Sequence, residues 1–206
     1  MKARRKTGYL RIIGGTWRSR RIPFAVEAGI RPTPDRVRET LFNWLQPVIQ
    51  GARCLDLYCG SGALSFEALS RGANLVLMVD EDLRVIQQLQ KNIESLGADH
   101  ARTEWGEALQ FLSTNPQPFD VVFLDPPFRD NVLTTCCHRL EHHGWLTPAA
   151  RIYIEASAGH GLSGLPDNWE ITHHKTAGQV AYYLAMRNAR QDDNMRTGSP
   201  RSQHVT

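Results

Sequence analysis

Asp125-Pro126-Pro127-Phe128 closes an apolar run, Phe119 to Leu124, and sets a carboxylate, a prolyl carbonyl and an aromatic ring at one strand end. That trio suits a planar heterocycle held by its exocyclic amine. The amine of guanine or adenine is a poor nucleophile, because its lone pair is delocalised into the ring. Acceptors on its two hydrogens, here the Asp125 carboxylate and the Pro126 carbonyl, draw it toward a tetrahedral, reactive geometry. Phe128 offers a stacking face worth roughly 1–3 kcal/mol per base. Once an electrophile is held in line, much of the remaining work is positioning. Arg129 directly follows and can meet a phosphate beside the target base. Without that chemistry, the tetrapeptide is a strand ending in a Pro-Pro turn with Phe128 in the core.

Upstream, Asp56-Leu57-Tyr58-Cys59-Gly60-Ser61-Gly62 reads as a strand running into a glycine loop. Gly60 and Gly62 let the backbone, with Tyr58 beside it, approach a ligand where a Cβ would intrude. Asp80 ends the next strand, 20 residues after Gly60, placed to hydrogen-bond two ribose hydroxyls. Asp82 is a weaker rival, because it opens the following helix. The loop lacks the third glycine of the dinucleotide fingerprint and has Ser65 there. Asp56, inside the strand, is awkward beside a pyrophosphate. It suits a ligand with an ammonium group, such as the methionine end of S-adenosylmethionine, or else it pins the loop by bonding backbone amides. Glu107 or the backbone of Ala108, after the third strand, can contact adenine; Glu107 is equally a first-turn acid favoured by the helix dipole.

Elements that position these groups are visible in the periodicity. Strands are predicted at 53–58, 75–80, 101–105, 119–125, 150–156, 169–175 and 180–187, with helices at 63–71, 82–96, 106–113 and 130–143. Such alternation implies an α/β fold with a mainly parallel sheet. Thr176-Ala177-Gly178 joins the last two strands as a hairpin, which fits a seven-stranded methyltransferase better than a plain dinucleotide fold. Before this domain (33–187), Tyr9–Ile13 and Thr16–Ile22 read as a hairpin about Gly14-Gly15, and Pro23–Pro32 as a loop, together a 9–32 RNA-binding unit. Thr33-Pro34-Asp35 predicts a helix start with a capping hydroxyl, running to about Gln46. Residues 1–8 and 188–206 are expected to be disordered tails.

The 206 residues, 41% of them hydrophobic, suit one domain with a small appendage. No apolar run approaches the roughly 20 residues that span a bilayer, and no signal core follows the basic N-terminus, so a cytoplasmic protein away from membranes is expected. Cys54, Cys59, Cys136 and Cys137 have no zinc-knuckle spacing and read as free thiols. His138 and His142 flank Arg139 where a zinc-protease motif needs Glu, so no metal is expected. Charge is uneven: residues 1–38 carry a net +9 and the remainder −6 within an overall +3. A basic arm on an acidic body points to a polyanion, and Trp17 and glycines interleave its arginines. Arg11, Trp17, Arg18, Arg20, Arg21, Arg31, Arg36 and Arg38, with Arg129, are the candidate RNA contacts.

With these motifs the chain resembles the bacterial small-subunit ribosomal RNA guanine-N2 methyltransferase family known as RsmD, from about Leu10 to Arg187. Its elements here are Arg11-Ile12-Ile13-Gly14-Gly15 with Trp17-Arg18, Arg31-Pro32-Thr33 with Asp35 to Glu39, Leu41-Phe42-Asn43-Trp44, Asp56 to Gly62, Asp125 to Phe128, and Gly178 to Tyr182. The resemblance implies a class I S-adenosylmethionine-dependent methyltransferase fold, Rossmann-like, with a small N-terminal β-hairpin. It implies S-adenosylmethionine as donor, S-adenosylhomocysteine as product, and a guanine N2 amine of 16S rRNA in an assembled or partly assembled small subunit as target. Ribosomal proteins can then be neighbours, and a monomer is the default. Asp80 departs from relatives that carry Glu at the ribose position. Alternatives are an adenine-N6 methyltransferase on DNA or RNA, a glutamine-modifying enzyme, a nicotinamide-dependent oxidoreductase, and a non-catalytic RNA-binding protein.

Overall fold

In the computed structural model, residues 7–26, 32–126, 132–159 and 161–190 are described. Apolar runs with both faces buried build the centre of the sheet. In β6 (Phe119–Leu124), every residue but Asp120 is fully buried. Its side chains alternate between two cores: Val121 and Phe123 join one, Val122 and Leu124 the other. Around it lie β3 (Arg53–Asp56), β4 (Leu75–Asp80), β5 (Ala101–Trp105), β7 (Leu146–Ser157), β8 (Trp169–Ala177) and β9 (Val180–Arg187), in the order β5-β4-β3-β6-β7-β9-β8. β3 to β7 pair in parallel, and β9 runs antiparallel between β7 and β8.

Helices α1 (Asp35–Trp44), α2 (Ala63–Ser70), α3 (Leu83–Leu96), α4 (Ala108–Phe111) and α5 (Val132–His142) complete the domain. All eight residues of α2 are buried. Helix α3 buries one face, is capped by Asp82 accepting from Arg84 N–H, and stops at Gly97 in the left-handed conformation. The C-terminal hairpin is clasped to α5 by the buried Glu141, which accepts from Arg187 at 2.8 Å, the Trp169 indole at 2.8 Å and Asn168 at 3.0 Å. Asn188 and Arg190, assigned to a tail from sequence, are tied in as well, through Asn168 and Glu141.

Strands β1 (Thr7–Arg11) and β2 (Arg21–Ala25) form the separate antiparallel hairpin. Thr7 and Gly8 already pair within it. The second strand begins later than predicted, because Thr16–Ser19 turns back on α2: Thr16 N–H donates to the Ser70 carbonyl and Trp17 N–H to the Ser70 hydroxyl. Gly15 has φ +75° there, and a Cβ on it would lie 1.7 Å from the Ser70 carbonyl oxygen. Pro23 and Phe24, predicted in a loop, are strand residues; Pro23 is tolerated because an edge position does not need its missing N–H. Buried Glu67 of α2 fixes the approach to this turn, accepting from Ile13 N–H at 2.8 Å, Gly14 N–H at 2.9 Å, Arg71 at 2.7 Å and Arg38 at 3.4 Å. The start of α1 also differs from expectation. Pro34, not Thr33, is the N-cap and makes no side-chain cap bond, and Thr33 is buried near Glu155 of β7 instead.

Candidate active site

From β3 the chain builds outward through β4 to β5, then returns to β6 on the other side of β3. Such a reversal opens a crevice beyond the carboxyl ends of the strands. Asp56 ends β3, Asp80 ends β4, and Asp125 follows β6, so the three carboxylates rim one crevice.

Asp56 is 3% exposed and accepts from the Ser65 hydroxyl at 2.6 Å. Burial and the nearby Asp80 push its carboxyl up to about 7, against the hydrogen bond from Ser65. A cation brought to it would lower that value, which is what an ammonium-bearing ligand would do. The loop after it folds back through Gly62 N–H to the Cys59 carbonyl at 2.7 Å. Asp80 holds the loop from the other side, with one carboxylate oxygen accepting from Gly60 N–H and the other from Asp82 N–H, each at 2.9 Å. Burial raises its carboxyl pKa. Each oxygen retains lone-pair capacity for a ligand hydroxyl. Asp82 is occupied by Arg84, whose hydrogen bonds hold its carboxyl low.

Gly62 opens α2 with φ +75°, and a Cβ there would lie 2.6 Å from Phe66 Cε2 and 2.7 Å from Leu89 Cδ2. Gly62→Ala should therefore lower the melting temperature by several degrees, since overpacking costs about 1–3 kcal/mol on top of the left-handed backbone. An unchanged melt would mean the loop relaxes freely.

Glu107 caps α4, accepting from Leu109 N–H at 3.1 Å and Gln110 N–H at 2.9 Å, with Ala108 buried behind it. The Tyr58 hydroxyl lies 3.2 Å from Cys136 Sγ, and burial raises its pKa. All four cysteines are buried and free.

Asp125 is half-buried, and Pro126 is buried beside it. Burial, then Glu155 and Asp56, push the Asp125 carboxyl up to about 8. Glu155 was not singled out from the sequence. Leu124 pairs with Ile154 in register, which sets Asp125 alongside Glu155. Glu155 is 7% exposed and accepts from the Tyr153 hydroxyl at 2.7 Å, with Thr33 close by. Burial raises its carboxyl too. The available signal was an acid at the end of the apolar run Ile152-Tyr153-Ile154, matching Asp125 after β6.

Of the candidate RNA contacts, Arg11, Arg18, Arg20, Arg21 and Arg36 are exposed, while Trp17 is partly buried against the core. Arg38 is a correction. It is 1% exposed and donates to the Thr33 and Arg11 carbonyls, Asp35 and Glu67, so it is spent inside the fold and offers nothing to a phosphate. Arg31, Phe128 and Arg129 lie outside the described residues.

The family model described as Conserved hypothetical protein 95 matches residues 10–186. The chain is 48% identical over 188 residues to "Ribosomal RNA small subunit methyltransferase D" of Escherichia coli strain K12, covering 91% of this chain and 95% of that one. The solved structure of yhhF from Escherichia coli superposes with a TM-score of 0.84 at 49% identity, covering 89% of this chain and all of that one. An RNA methyltransferase from Salinibacter ruber, solved with S-adenosylhomocysteine, shares the fold at a TM-score of 0.60 and 16% identity, over 78% of this chain and 95% of its own. The fold is the class I methyltransferase fold, with its C-terminal strands antiparallel and a small N-terminal hairpin added.

Proposed function

Because this chain belongs to the Conserved hypothetical protein 95 family, the RsmD methyltransferases, we propose that it methylates the N2 amine of one guanine in the RNA of the small ribosomal subunit. It is an S-adenosylmethionine-dependent methyltransferase. One observation carries the choice of an amine: Asp125-Pro126 stands at the end of β6, across the strand reversal from the Asp56–Gly62 loop.

The donor fits the residues present. Asp56 would meet its ammonium group, Asp80 its ribose, the glycine loop its backbone-hugging middle, and Ala108 with Glu107 its adenine edge. When bound it supplies an electrophilic methyl group. The protein's part is to take one guanine out of its stack, as chemistry on a base requires, and to hold its N2 amine in line. Asp125 and the Pro126 carbonyl accept the two amine hydrogens, so the nitrogen lone pair turns toward the methyl. The methyl would pass from the donor's sulfur to the nitrogen, its S–C bond breaking and S-adenosylhomocysteine leaving, and the surplus amine proton would pass to ionised Asp125 or to water. Exposed arginines of the β1–β2 hairpin hold the RNA backbone. Small subunits lie in the cytoplasm, so the enzyme works there as a monomer beside ribosomal proteins.

The test is transfer of labelled methyl to three acceptors: small subunits lacking this modification, their RNA stripped of protein, and duplex DNA, with the product base identified by mass spectrometry. N2-methylguanine on subunits is expected. Methyladenine, or label only in DNA, would overturn the substrate.

Asp125 accepts amine hydrogens most strongly, and can take up the surplus proton, only when ionised. Its carboxyl, pushed up to about 8, is mostly protonated below that value. Transfer on saturated enzyme should therefore rise about tenfold per pH unit up to about 8 and level off above it. A flat profile from pH 6 to 9 would count against this role. Subunit affinity should also fall steeply with added salt, because each phosphate neutralised releases counterions.

A further inference from the structure

Tyr9 is the most unusual surface residue of the hairpin, an aromatic ring 58% exposed on a strand whose other outward residues are Thr7 and Arg11. The Arg21 guanidinium lies over this ring, 5.3 Å from its centroid. Arg21 is also the direct cross-strand partner of Arg11. Like charges placed opposite each other weaken a hairpin, so this pairing is not what fold stability alone would select. Asp35 answers part of the repulsion through Arg11, at 3.1 Å.

These residues rim a cleft of about 560 Å³ between the hairpin and the start of α1, floored by Leu10 and Phe24 and walled by Thr33 and Asp35. That is the size of a small-molecule or nucleotide pocket. Its wall leads inward, since Thr33 lies close to Glu155, which stands beside Asp125. Thr33 and Glu155 therefore stand between cleft and amine site, within reach of one RNA strand.

We propose that this cleft is a second base subsite, in which an unpaired nucleotide flanking the target guanine stacks on Tyr9 while Arg21 and Arg11 meet its phosphate. The chemistry favours a base over other occupants. An aromatic face sits beside cations for the phosphate, and the Asp35 carboxylate can accept from a base amine or imino group. Sequence-specific RNA recognition uses such splayed, stacked bases. Two stacked bases, one on either side of Thr33 and Glu155, would fix the strand's register and so decide which guanine enters. The proposal rests on the reading of this enzyme as an RNA methyltransferase.

The test uses the full chain and unmodified small subunits. Tyr9→Ala should raise KM for subunits about tenfold, the equivalent of about 1.4 kcal/mol, within the range of a base stack. Its kcat and its affinity for S-adenosylhomocysteine should stay within about twofold of the parent. Tyr9→Phe, which keeps the stacking face, should match the parent throughout. Arg21→Ala should weaken subunit binding and reduce the salt slope by about 1. Ultraviolet crosslinking should place an RNA nucleotide on Tyr9 itself. Tyr9→Ala with an unchanged KM, a Phe variant as impaired as Ala, or a Tyr9 crosslink to a ribosomal protein instead of RNA would each overturn the subsite. Parent enzyme that makes no N2-methylguanine on the subunits would instead overturn the functional reading, and the subsite with it.

Discussion

Asp125→Ala is expected to lower methyl transfer about a thousandfold, while S-adenosylhomocysteine binds as it does to the parent. Removing one preorganised polar partner from a water-poor site typically costs about 10²–10³ in rate. Here the lost group also sets the geometry of the nucleophile. Asp125→Asn should fall between, because its amide oxygen still accepts a hydrogen, and its rate should no longer depend on pH between 6 and 9. Stability should move the other way. Burial, Glu155 and Asp56 raise the Asp125 carboxyl to about 8 in the folded protein, far above its usual value near 3.9 in an unfolded chain. Stability from this group is therefore fullest below the unfolded value and is lost as pH rises through about 8, where the folded state is forced to ionise. The Asn variant escapes that penalty and should unfold later than the parent at pH 9, with the advantage gone at pH 4. Substantial transfer by Asp125→Ala, or an Asn variant less stable than the parent at pH 9, would remove the role given to this carboxylate.

Glu67→Ala is expected to destabilise the protein by about 3–5 kcal/mol, the usual cost of leaving one member of a buried ion pair alone. The residue is fully buried and takes four donors, from Ile13, Gly14, Arg38 and Arg71. Its loss would leave two backbone N–H groups and part of a buried guanidinium without their acceptor. For a chain of this size that is a drop of about 10 °C in melting temperature, readable by calorimetry. Glu67→Gln keeps an acceptor oxygen and should recover part of it. Because Glu67 holds the Ile13-Gly14 turn on α2, the Ala variant should also bind subunits poorly at temperatures where it is still folded. A melting temperature within about 2 °C of the parent would show that the hairpin docks by other means.

What could be read from the sequence, and what could not, follows physical lines. β6 was legible because a strand buried on both faces must be a continuous apolar run, and Phe119–Leu124 is nearly that. The glycine loop was legible because few other residues tolerate its backbone. Arg38 was misplaced for a reason no charge count can reveal. A cation on a helix looks the same in sequence whether it faces water or a buried acid, and its acid, Glu67, lies 29 residues away on another helix. The same blindness hid Thr33, read as a helix cap when it is buried near Glu155 of β7. The second hairpin strand was started too early because Thr16–Ser19 carries no turn signature of its own; Ser70 of α2 makes the turn.

The clasp at the far edge of the sheet bears on the order in which the molecule is finished. Arg187 leaves the ribosome 46 residues after Glu141, which at about 5–20 residues per second is a delay of roughly 2–9 s. Through that interval α5 carries an acid whose arginine partners, Arg187 and Arg190, have not yet been made, and β7 waits for β9 with an open edge. The nascent domain can assemble the cofactor side of its sheet early, but it closes the other side only once the last strand has been threaded in between two older ones. An enzyme that methylates ribosomal RNA thus stays incomplete until the strand that fills its own sheet has been translated.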